Sequence, residues 1–527
     1  MGDLYALKVG SLKMKRNITR TAIEITLIAI IVKLFGFLKE LVLAYFYGTE
    51  YIADSYLLAI SLPVIFFGWL TSVALSYVPI YTKQDHNQRI LYSQRVKTSL
   101  LILSMIGIGV GQLIAPILVK LTAPGLTSYA HNLAVEYFRV SLLSLLFMPI
   151  TEINLANLNC ERHYVASNVV NLFFGSIQIV FIIISGLFDY HSLIWGYTVS
   201  SAVRYVASAL LCSKYGLRIS FVFGYDELTK RTFKLGFPMI VSQLVAQINS
   251  LIDRMLASFL TSGSIAILSY ANTLKLFAYS VFTLAADTII FPEVSRLTAK
   301  KEYHRVYGIE EQMIRLMSLI LLPVTVFCCL NSKYIVYIAF FHGAFTYESL
   351  ISTSNTFIAY IIGLLPISLT EILIRMFYSF DDSKSPLKIS LISIALNALF
   401  SVILMRPLGI NGIALATTLA SFITLPIYTV FLRRKIIQLD LTNRAKYKKN
   451  IVCSFPFWIK LLVCLVAMII CYFMTPQIEI EKIAFGKVLI QFIANFFISF
   501  MGFCICCFIL LRKEIKNFMQ LAKIKSS

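Results

Sequence analysis

The sequence is poor in charged residues and lacks the cysteine patterns of metal or disulfide frameworks. Only 14% of its 527 residues are Asp, Glu, Lys or Arg, whereas about 25% is usual in a soluble globular domain. Ten cysteines are present, and the one CxxC spacing among them, Cys504 to Cys507, falls within an apolar run. Most of them lie in apolar segments, where cysteine behaves as a small hydrophobic residue. This distribution argues against a zinc site or a disulfide scaffold.

Catalytic and nucleotide-binding motifs are also missing. The sequence contains no P-loop, no HExxH pair and no nucleophile elbow. The histidines lie scattered in or beside predicted loops: His86, His131, His163, His191, His304 and His342. We therefore expect a protein that is not an enzyme, that uses no cofactor, and that does not take its energy from ATP bound to this chain.

Long apolar runs dominate what is present, since 58% of the residues are hydrophobic and the mean hydropathy is +0.80. A bilayer-spanning helix needs about 20 mostly apolar residues. The first run is too long for the apolar region of a cleavable signal peptide, so we expect it to stay in the membrane. The sequence predicts an all-α polytopic membrane protein with about 14 transmembrane helices. The predicted spans cover residues 21–47, 53–81, 98–118, 132–158, 165–187, 192–212, 236–260, 264–292, 312–332, 350–378, 387–405, 410–432, 456–474 and 488–511.

The net charge is +21, and the positive residues are distributed as the predicted topology requires. With the N-terminus in the cytoplasm, most of the 47 Lys and Arg residues fall in cytoplasmic segments, including 1–20 and the tail 512–527. The opposite loops hold only Lys120, Lys333, Arg406, Lys482 and Lys487. The positive-inside rule explains this asymmetry, and nucleic acid is not needed to account for the basic composition. We expect a bacterial inner-membrane protein with both termini in the cytoplasm.

Two halves of the chain resemble each other at a shift of about 213 residues. Pro79 falls opposite Pro292, and the pair Asp253–Arg254 falls near the place of Lys39–Glu40. Six spans separate the two copies, so both share one orientation, as parallel repeats do. We predict an N-lobe at 21–215, a C-lobe at 233–435, and an unpaired helical appendage at 456–511.

Ionisable side chains inside spans are costly, and they are candidate functional residues. The cations outnumber the acids among those selected, which suits an anionic substrate such as a diphosphate. Two alternatives remain at this point: the lysines could snorkel to the membrane surface, and adjacent opposite charges could neutralise each other. The candidate substrate-binding residues are Lys33, Lys39, Glu40, Asp54, Asp253, Arg254 and Lys275.

Several segments together resemble the MurJ/MviN family of lipid II flippases over about residues 20–435. In the first half they are Val32 to Glu40, Ala53–Asp54–Ser55–Tyr56, Leu62–Pro63 and Tyr77–Val78–Pro79. In the second half they are Phe341 to Thr346, Arg375 to Ser379, Asp382 to Pro386 and Pro407 to Ala416. The resemblance depends on the whole set of segments and not on any single one.

This resemblance implies a fold of the MOP exporter superfamily, with fourteen helices in two six-helix lobes around a cationic cavity. It implies transport of lipid II, an undecaprenyl-diphosphate-linked glycopeptide, across the cytoplasmic membrane. It also implies that the last two helices, 456–511, form a groove for the lipid tail. Cell-wall synthesis enzymes are candidate partners, besides the bilayer itself. The resemblance does not identify a coupling ion.

The family's two first-helix arginines match Lys33 and Lys39, the acid after them matches Glu40, and the second-helix aspartate matches Asp54. Other family charges are missing. An arginine pair falls on Phe67 and Gly68, and an eighth-helix Asp-Arg pair falls on Asn272 and Thr273, with Lys275 two residues further. These departures leave a second possibility, a flippase for another polyprenyl-diphosphate-linked oligosaccharide. Two further hypotheses are a cation antiporter of the same superfamily and a non-transporting membrane scaffold.

Overall fold

The computed structural model describes residues 2–217, 220, 222–224, 226–285, 291–440, 455–476 and 485–512. Within these ranges the regular elements are helices, and no strand occurs. The chain divides into two compact units, residues 1–266 and 267–527. The first unit contains α1 (Gly2–Tyr47), α2 (Tyr51–Phe67), α3 (Trp69–Tyr81), α4 (His86–Thr122), α5 (Ser128–Leu142), α6 (Met148–Cys160), α7 (Tyr164–Leu187), α8 (Trp195–Lys214) and α9 (Glu227–Ser258).

The unit boundary falls in the first turn of α10 (Ser264–Ala285). The second unit then contains α11 (Phe291–Ala299), α12 (Tyr303–Leu330), α13 (Ser332–Phe340), α14 (Tyr347–Ile361), α15 (Leu364–Ser379), α16 (Lys384–Leu408), α17 (Ile410–Leu439), α18 (Phe455–Phe473) and α19 (Phe485–Leu510). All but the first residue of the predicted tail 512–527 lies outside the described residues.

The helices match the predicted membrane spans. Eight helices in the described part of the chain are long and apolar enough to cross a bilayer, and the number is ten when two bent pairs are each taken as one span. The bent pairs are α2 with α3, at 45°, and α14 with α15, at 44°. The four other predicted spans coincide with α1, α8, α9 and α10. The all-α polytopic fold is therefore confirmed, and the count of fourteen is consistent with it.

The bend between α2 and α3 occurs at Gly68. Its backbone N–H still donates to the Val64 carbonyl at 3.0 Å, but the following helix leaves at an angle. A Cβ atom at position 68 would lie 2.2 Å from the Val64 carbonyl oxygen, closer than any non-bonded contact allows. The bend therefore requires a residue without a side chain.

In the first unit, α1 packs against α7, α2 against α5, and α3 against both α6 and α9. Tyr77 of α3 stacks on Tyr92 of α4 with ring centroids 4.9 Å apart, and its hydroxyl donates to Asn157 Oδ1 at 2.6 Å. Helix α9, where the predicted second lobe begins, packs against α3 and α4. The compact units thus follow side-chain packing, whereas the predicted lobes follow the sequence repeat.

In the second unit, α17 packs against α14, α15 and α16, and the α18–α19 hairpin packs against α12. Buried amides join the hairpin to the rest of this unit. Gln491 Nε2 donates to Asn495 Oδ1 at 2.9 Å, and Asn495 Nδ2 donates to Asn331 Oδ1 at 2.8 Å. The Tyr472 hydroxyl donates to the Leu330 carbonyl at 2.9 Å. Such bonds between helices add about 1 kcal/mol each in membranes, so the appendage is fixed to its own unit.

Candidate functional site

The first-helix lysines differ in their surroundings. Lys33 is exposed, and no ion pair or hydrogen bond engages its ammonium group among the described residues. Lys39 forms an ion pair with Glu40, its Nζ lying 2.9 Å from Glu40 Oε1, and its side chain is 14% exposed. The second oxygen of Glu40, Oε2, is buried without a hydrogen-bond donor. Lys33 is therefore free to bind an anion, whereas Lys39 must give up part of its contact with Glu40.

Asp54 lies at the start of α2 and binds the start of α10. Its Oδ2 accepts from the backbone N–H of Gly263 at 2.7 Å, and its Oδ1 accepts from that of Ala266 at 2.7 Å. Free N–H groups and the helix dipole make a helix N-terminus favourable for a carboxylate. Gly263 has φ +89°, and a Cβ there would lie 2.0 Å from the Thr49 carbonyl oxygen, so this close approach requires glycine. Asp54 thus acts as a clasp, a hydrogen-bonded link between the starts of α2 and α10.

Arg254 joins the same region from α9. Its Nη1 donates to the Leu57 carbonyl of α2 at 2.8 Å, and both Arg254 and its neighbour Asp253 are half-buried. The Ser258 hydroxyl accepts from the Gly125 N–H at 3.2 Å. The structure therefore brings Asp54 and Arg254 together with the end of α9, as a set of contacts that hold this end against α2.

The other end of α9 is held by a second set of contacts. Arg95 Nη1 of α4 lies 2.6 Å from Asp226 Oδ2, and Asp226 Oδ1 caps α9 by accepting from the Thr229 N–H at 2.9 Å. The Tyr92 and Thr232 hydroxyls also bond to each other. Desolvation raises the pKa of Asp226, but the hydrogen bonds from Thr229 and Arg95 outweigh it and leave this pKa below its usual value. Helix α9 is thus fastened at both ends within the first unit.

Lys275 belongs to the second unit and is buried on α10. Its Nζ lies 4.5 Å from the ring centroid of Tyr360 on α14. A desolvated ammonium ion over an aromatic face gains up to about 2 kcal/mol from the ring. Lys275 therefore has an internal aromatic partner, and the six other predicted residues belong to the first unit.

Four uncharged residues lie where the resemblance leads us to expect charges: Phe67, Gly68, Asn272 and Thr273. The structure explains the first two. Phe67 packs against α4, since a Cβ on Gly107 would lie 3.1 Å from its ring. Gly68 forms the bend described above. Asn272 and Thr273 are half-buried on α10. Phe67 therefore serves helix packing and Gly68 serves the bend.

A charged cluster that the site prediction left out lies close to Lys39. Arg204 Nη2 of α8 lies 2.9 Å from Glu152 Oε1 of α6, and Arg204 Nε donates to Asn171 Oδ1 of α7 at 3.0 Å. Tyr197 lies within electrostatic range of both Lys39 and Arg204. Glu152 and Arg204 both fall inside predicted spans, and that signal marks them in the sequence. The packing of α6, α7 and α8, which brings Glu152, Asn171 and Arg204 together, is not visible there.

The described residues contain no group of three His, Cys, Asp or Glu side chains able to hold a metal ion. The charged groups above can bind an anion electrostatically and can break and re-form ion pairs. They offer no arrangement of nucleophile and base. These charged groups are therefore suited to binding an anion and to exchanging ion pairs when the conformation changes.

The fold is that of a multi-pass helical membrane protein, and solved structures share it. A solved structure described as lipid II flippase MurJ in an inward closed conformation aligns with a TM-score of 0.78, covering 94% of this chain and 100% of that one at 20% identity. An inward-facing multidrug resistance MATE transporter of the MOP superfamily aligns with a TM-score of 0.66, covering 78% and 96% at 15% identity.

Sequence comparison identifies the family. The sequence model described as "Lipid II flippase MurJ" matches residues 43–478. A "Probable lipid II flippase MurJ" of Buchnera aphidicola is 27% identical over 77% of this chain and 82% of the relative. One from Rickettsia prowazekii is 27% identical over the same shares. The chain belongs to the MurJ family of lipid II flippases. This is a transporter family, so the prediction of a transporter rather than an enzyme is confirmed.

Proposed function

We propose that this chain is a lipid II flippase, which moves the undecaprenyl-diphosphate-linked peptidoglycan precursor across the bacterial cytoplasmic membrane by alternating access. The observation that carries the proposal is the family match over residues 43–478. Of the candidate cations, Lys33 is exposed without a partner among the described residues. We assign the diphosphate to Lys33, Lys39 and Arg254 of the first unit, because lysine binds phosphate as a point charge. Lys275 is the candidate cation of the second unit.

The two sets of contacts on α9 supply the gates of this mechanism. With both termini in the cytoplasm, the Arg95–Asp226 end of α9 faces inward and the Asp54–Arg254 end faces outward. Opening to either side breaks one set of contacts and leaves the other intact. The inside-negative potential biases the return of the cationic site, at about 2.3 kcal/mol per charge per 100 mV.

The lipid tail has a separate place in this proposal. The α18–α19 hairpin presents large apolar side chains at its surface, among them Phe497 and Phe508, which are 66% and 65% exposed. We assign the undecaprenyl chain to this surface, so that the tail stays in an apolar environment while the headgroup crosses. Cell-wall synthesis enzymes that consume the exported precursor are the expected partners.

Complementation tests the proposal. The native lipid II flippase of a bacterial host is depleted, and growth is measured with this chain, with the Lys33→Ala/Lys39→Ala variant, and with the control Lys83→Ala/Lys214→Ala. The control also removes two positive charges, both from exposed lysines. We expect rescue by the unchanged chain and by the control, and loss of rescue in the first-helix variant.

A second candidate substrate is another polyprenyl-diphosphate-linked oligosaccharide, favoured by the uncharged residues Phe67, Gly68, Asn272 and Thr273. If the unchanged chain is inserted at normal levels and does not rescue growth, lipid II is the wrong substrate. Accumulation of the other lipid-linked oligosaccharides in a strain lacking this chain would then identify the cargo. A cation antiporter would instead depend on acidic groups, and its activity would survive loss of both lysines.

A further inference from the structure

The interior of the first unit encloses a lysine that the proposed substrate site does not use. Lys97 lies on α4, is 1% exposed, and has no hydrogen bond or ion pair within the described residues. Removing an ammonium ion from water without a counter-ion costs several kcal/mol. A buried amine in this position avoids that cost by releasing its proton.

The surroundings of Lys97 contain polar atoms but no carboxylate that acts on it. Cys212 of α8, which is fully buried, is the titratable group whose charge reaches Lys97. Cys212 Sγ donates to the Asn154 backbone carbonyl of α6 at 3.6 Å. The Asn154 side-chain oxygen, Oδ1, is buried without a donor. An unused acceptor thus lies in the same interior as an amine without a partner.

The carboxylates of the elements packed around α4 are neutralised by other residues. Three of them pair with arginines: Asp226 with Arg95 at 2.6 Å, Glu161 with Arg89 at 3.2 Å, and Glu152 with Arg204 at 2.9 Å. Glu136 of α5 lies 2.7 Å from His191, and Glu227 of α9 lies 4.0 Å from Lys230. Tyr77, Tyr81, Tyr92 and Cys160, which pack together between α3, α4 and α6, are uncharged near neutral pH. No negative charge in this part of the unit is available to keep Lys97 protonated.

We propose that Lys97 is a proton-binding site in the interior formed by α4, α6 and α8. Burial lowers the pKa of this side chain to about 8, so the enclosed side chain is a neutral amine above that pH. When water enters this interior, the amine takes up one proton from solution and becomes an ammonium ion. Proton uptake therefore favours the opened form of the unit. Under the proposed function, and resting on it, this site gives protons a means of biasing the transport cycle.

The adjacent Cys212 provides the measurement. In a variant that keeps Cys212 and replaces the other cysteines by serine, a small maleimide reacts with this thiol only when the interior opens. The rate is measured from pH 7 to pH 9 and divided by the rate in denatured protein at the same pH, which removes the effect of thiol ionisation. A hydrated lysine is protonated over this whole range, so the corrected rate should increase by up to tenfold as pH falls from 9 to 8. It should level off below pH 8, where the enclosed amine is protonated as well.

Two substitutions distinguish a proton site from a structural lysine. Lys97→Met should give a slow corrected rate that does not depend on pH. Lys97→Arg, whose side chain stays charged, should give a fast corrected rate that does not depend on pH either. A variant whose only cysteine replaces Lys83, an exposed residue between α3 and α4, should give a ratio near one at every pH. A flat profile with Lys97 present, or an unchanged slope in Lys97→Met, overturns the proposal. Because no substrate is used, either result leaves the transport proposal standing, and failed complementation leaves this one standing.

Discussion

At the residue scale, the candidate charges divide into those held by internal partners and those free to bind. Asp54 accepts two backbone hydrogen bonds at 2.7 Å, and Lys39 shares its charge with Glu40 at 2.9 Å. Lys33 has neither kind of contact within the described residues. Lys33 and Lys39 carry the same charge and lie on the same helix, but only Lys33 is free to bind, because Lys39 has Glu40 beside it.

Asp54→Asn should destabilise the conformation seen here. The amide keeps one acceptor and loses the negative charge that both N–H groups face, and hydrogen bonds to a charged group contribute about 1.5–3 kcal/mol each. We expect a lower Tm in detergent by several degrees. The control Asp85→Asn changes an exposed residue whose side chain makes no cap bond and should leave Tm unchanged. Equal Tm values for the two variants would contradict the role of Asp54 as a clasp.

Asp382 should make stability depend on pH in acid. Desolvation raises its pKa, but hydrogen bonds from Lys435 and Ser385 outweigh it and lower the pKa to about 2, with Lys435 Nζ 2.6 Å away. A lowered pKa means that the folded state binds the proton less tightly than the unfolded state. The stabilisation is therefore present above about pH 4 and is lost as pH falls towards 2.

Asp382→Asn should accordingly lower Tm at pH 7 and leave it unchanged at pH 2. The measurement is Tm against pH in an acid-stable detergent. Asp381→Asn is the matched control, because Asp381 has φ +56°, which asparagine tolerates, and makes no ion pair among the described residues. A Tm difference for Asp382→Asn that persists at pH 2 would show that the carboxylate charge is not the cause.

At the element scale, the bend between α2 and α3 determines where α9 packs in the first unit. The bend of 45° between α2 and α3 sends one predicted span along two directions, and α9 packs against both α3 and α4. Straightening α2–α3 would therefore move the surface that α9 contacts. The geometry of one glycine is thus transmitted to an element more than 150 residues further along the chain.

Gly68→Ala should disturb this bend. Its Cβ would approach the Val64 carbonyl oxygen to 2.2 Å, and backbone atoms there cannot move without changing the bend. Gly109→Ala on α4 is the control, because nothing lies within 4 Å of its Cβ and alanine is favoured over glycine in a helix by about 1 kcal/mol. We expect reduced folded yield for the first variant and equal or higher Tm for the second. Normal yield and Tm for Gly68→Ala would refute the steric argument.

At the scale of the whole molecule, the distribution of positive charge predicts orientation. Alkaline phosphatase, which is active only outside the cytoplasm, can be fused after residue 527, after Lys214, or after Gly125. We expect activity only in the Gly125 fusion, because the loop there carries almost no Lys or Arg while the other two sites lie in basic segments. Activity at residue 527 would reverse the proposed topology and exchange the two gates on α9.

Much of the fold was accessible from sequence because the bilayer imposes length and polarity on every span. The predicted spans coincide with helices or with pairs of consecutive helices. The basic loops predict which side of the membrane each loop faces. The interruption in the second span was not predicted, because Gly68 is one glycine in an apolar run and its need for the bend depends on Val64 in three dimensions. The α18–α19 hairpin was predicted as an appendage, but its amide bonds to Asn331 were not.

The candidate site was less predictable. Sequence alone determined which ionisable residues lie in spans, since a charge in an apolar run is visible without coordinates. Only the tertiary structure decided that Asp54 binds the start of α10, that Lys275 lies over Tyr360, and that Lys97 is enclosed without a partner among the described residues. These outcomes depend on contacts between residues distant in sequence, and hydropathy carries no information about which helices meet. The apolar pattern fixed the class of fold, and helix packing fixed which charges remain available for function.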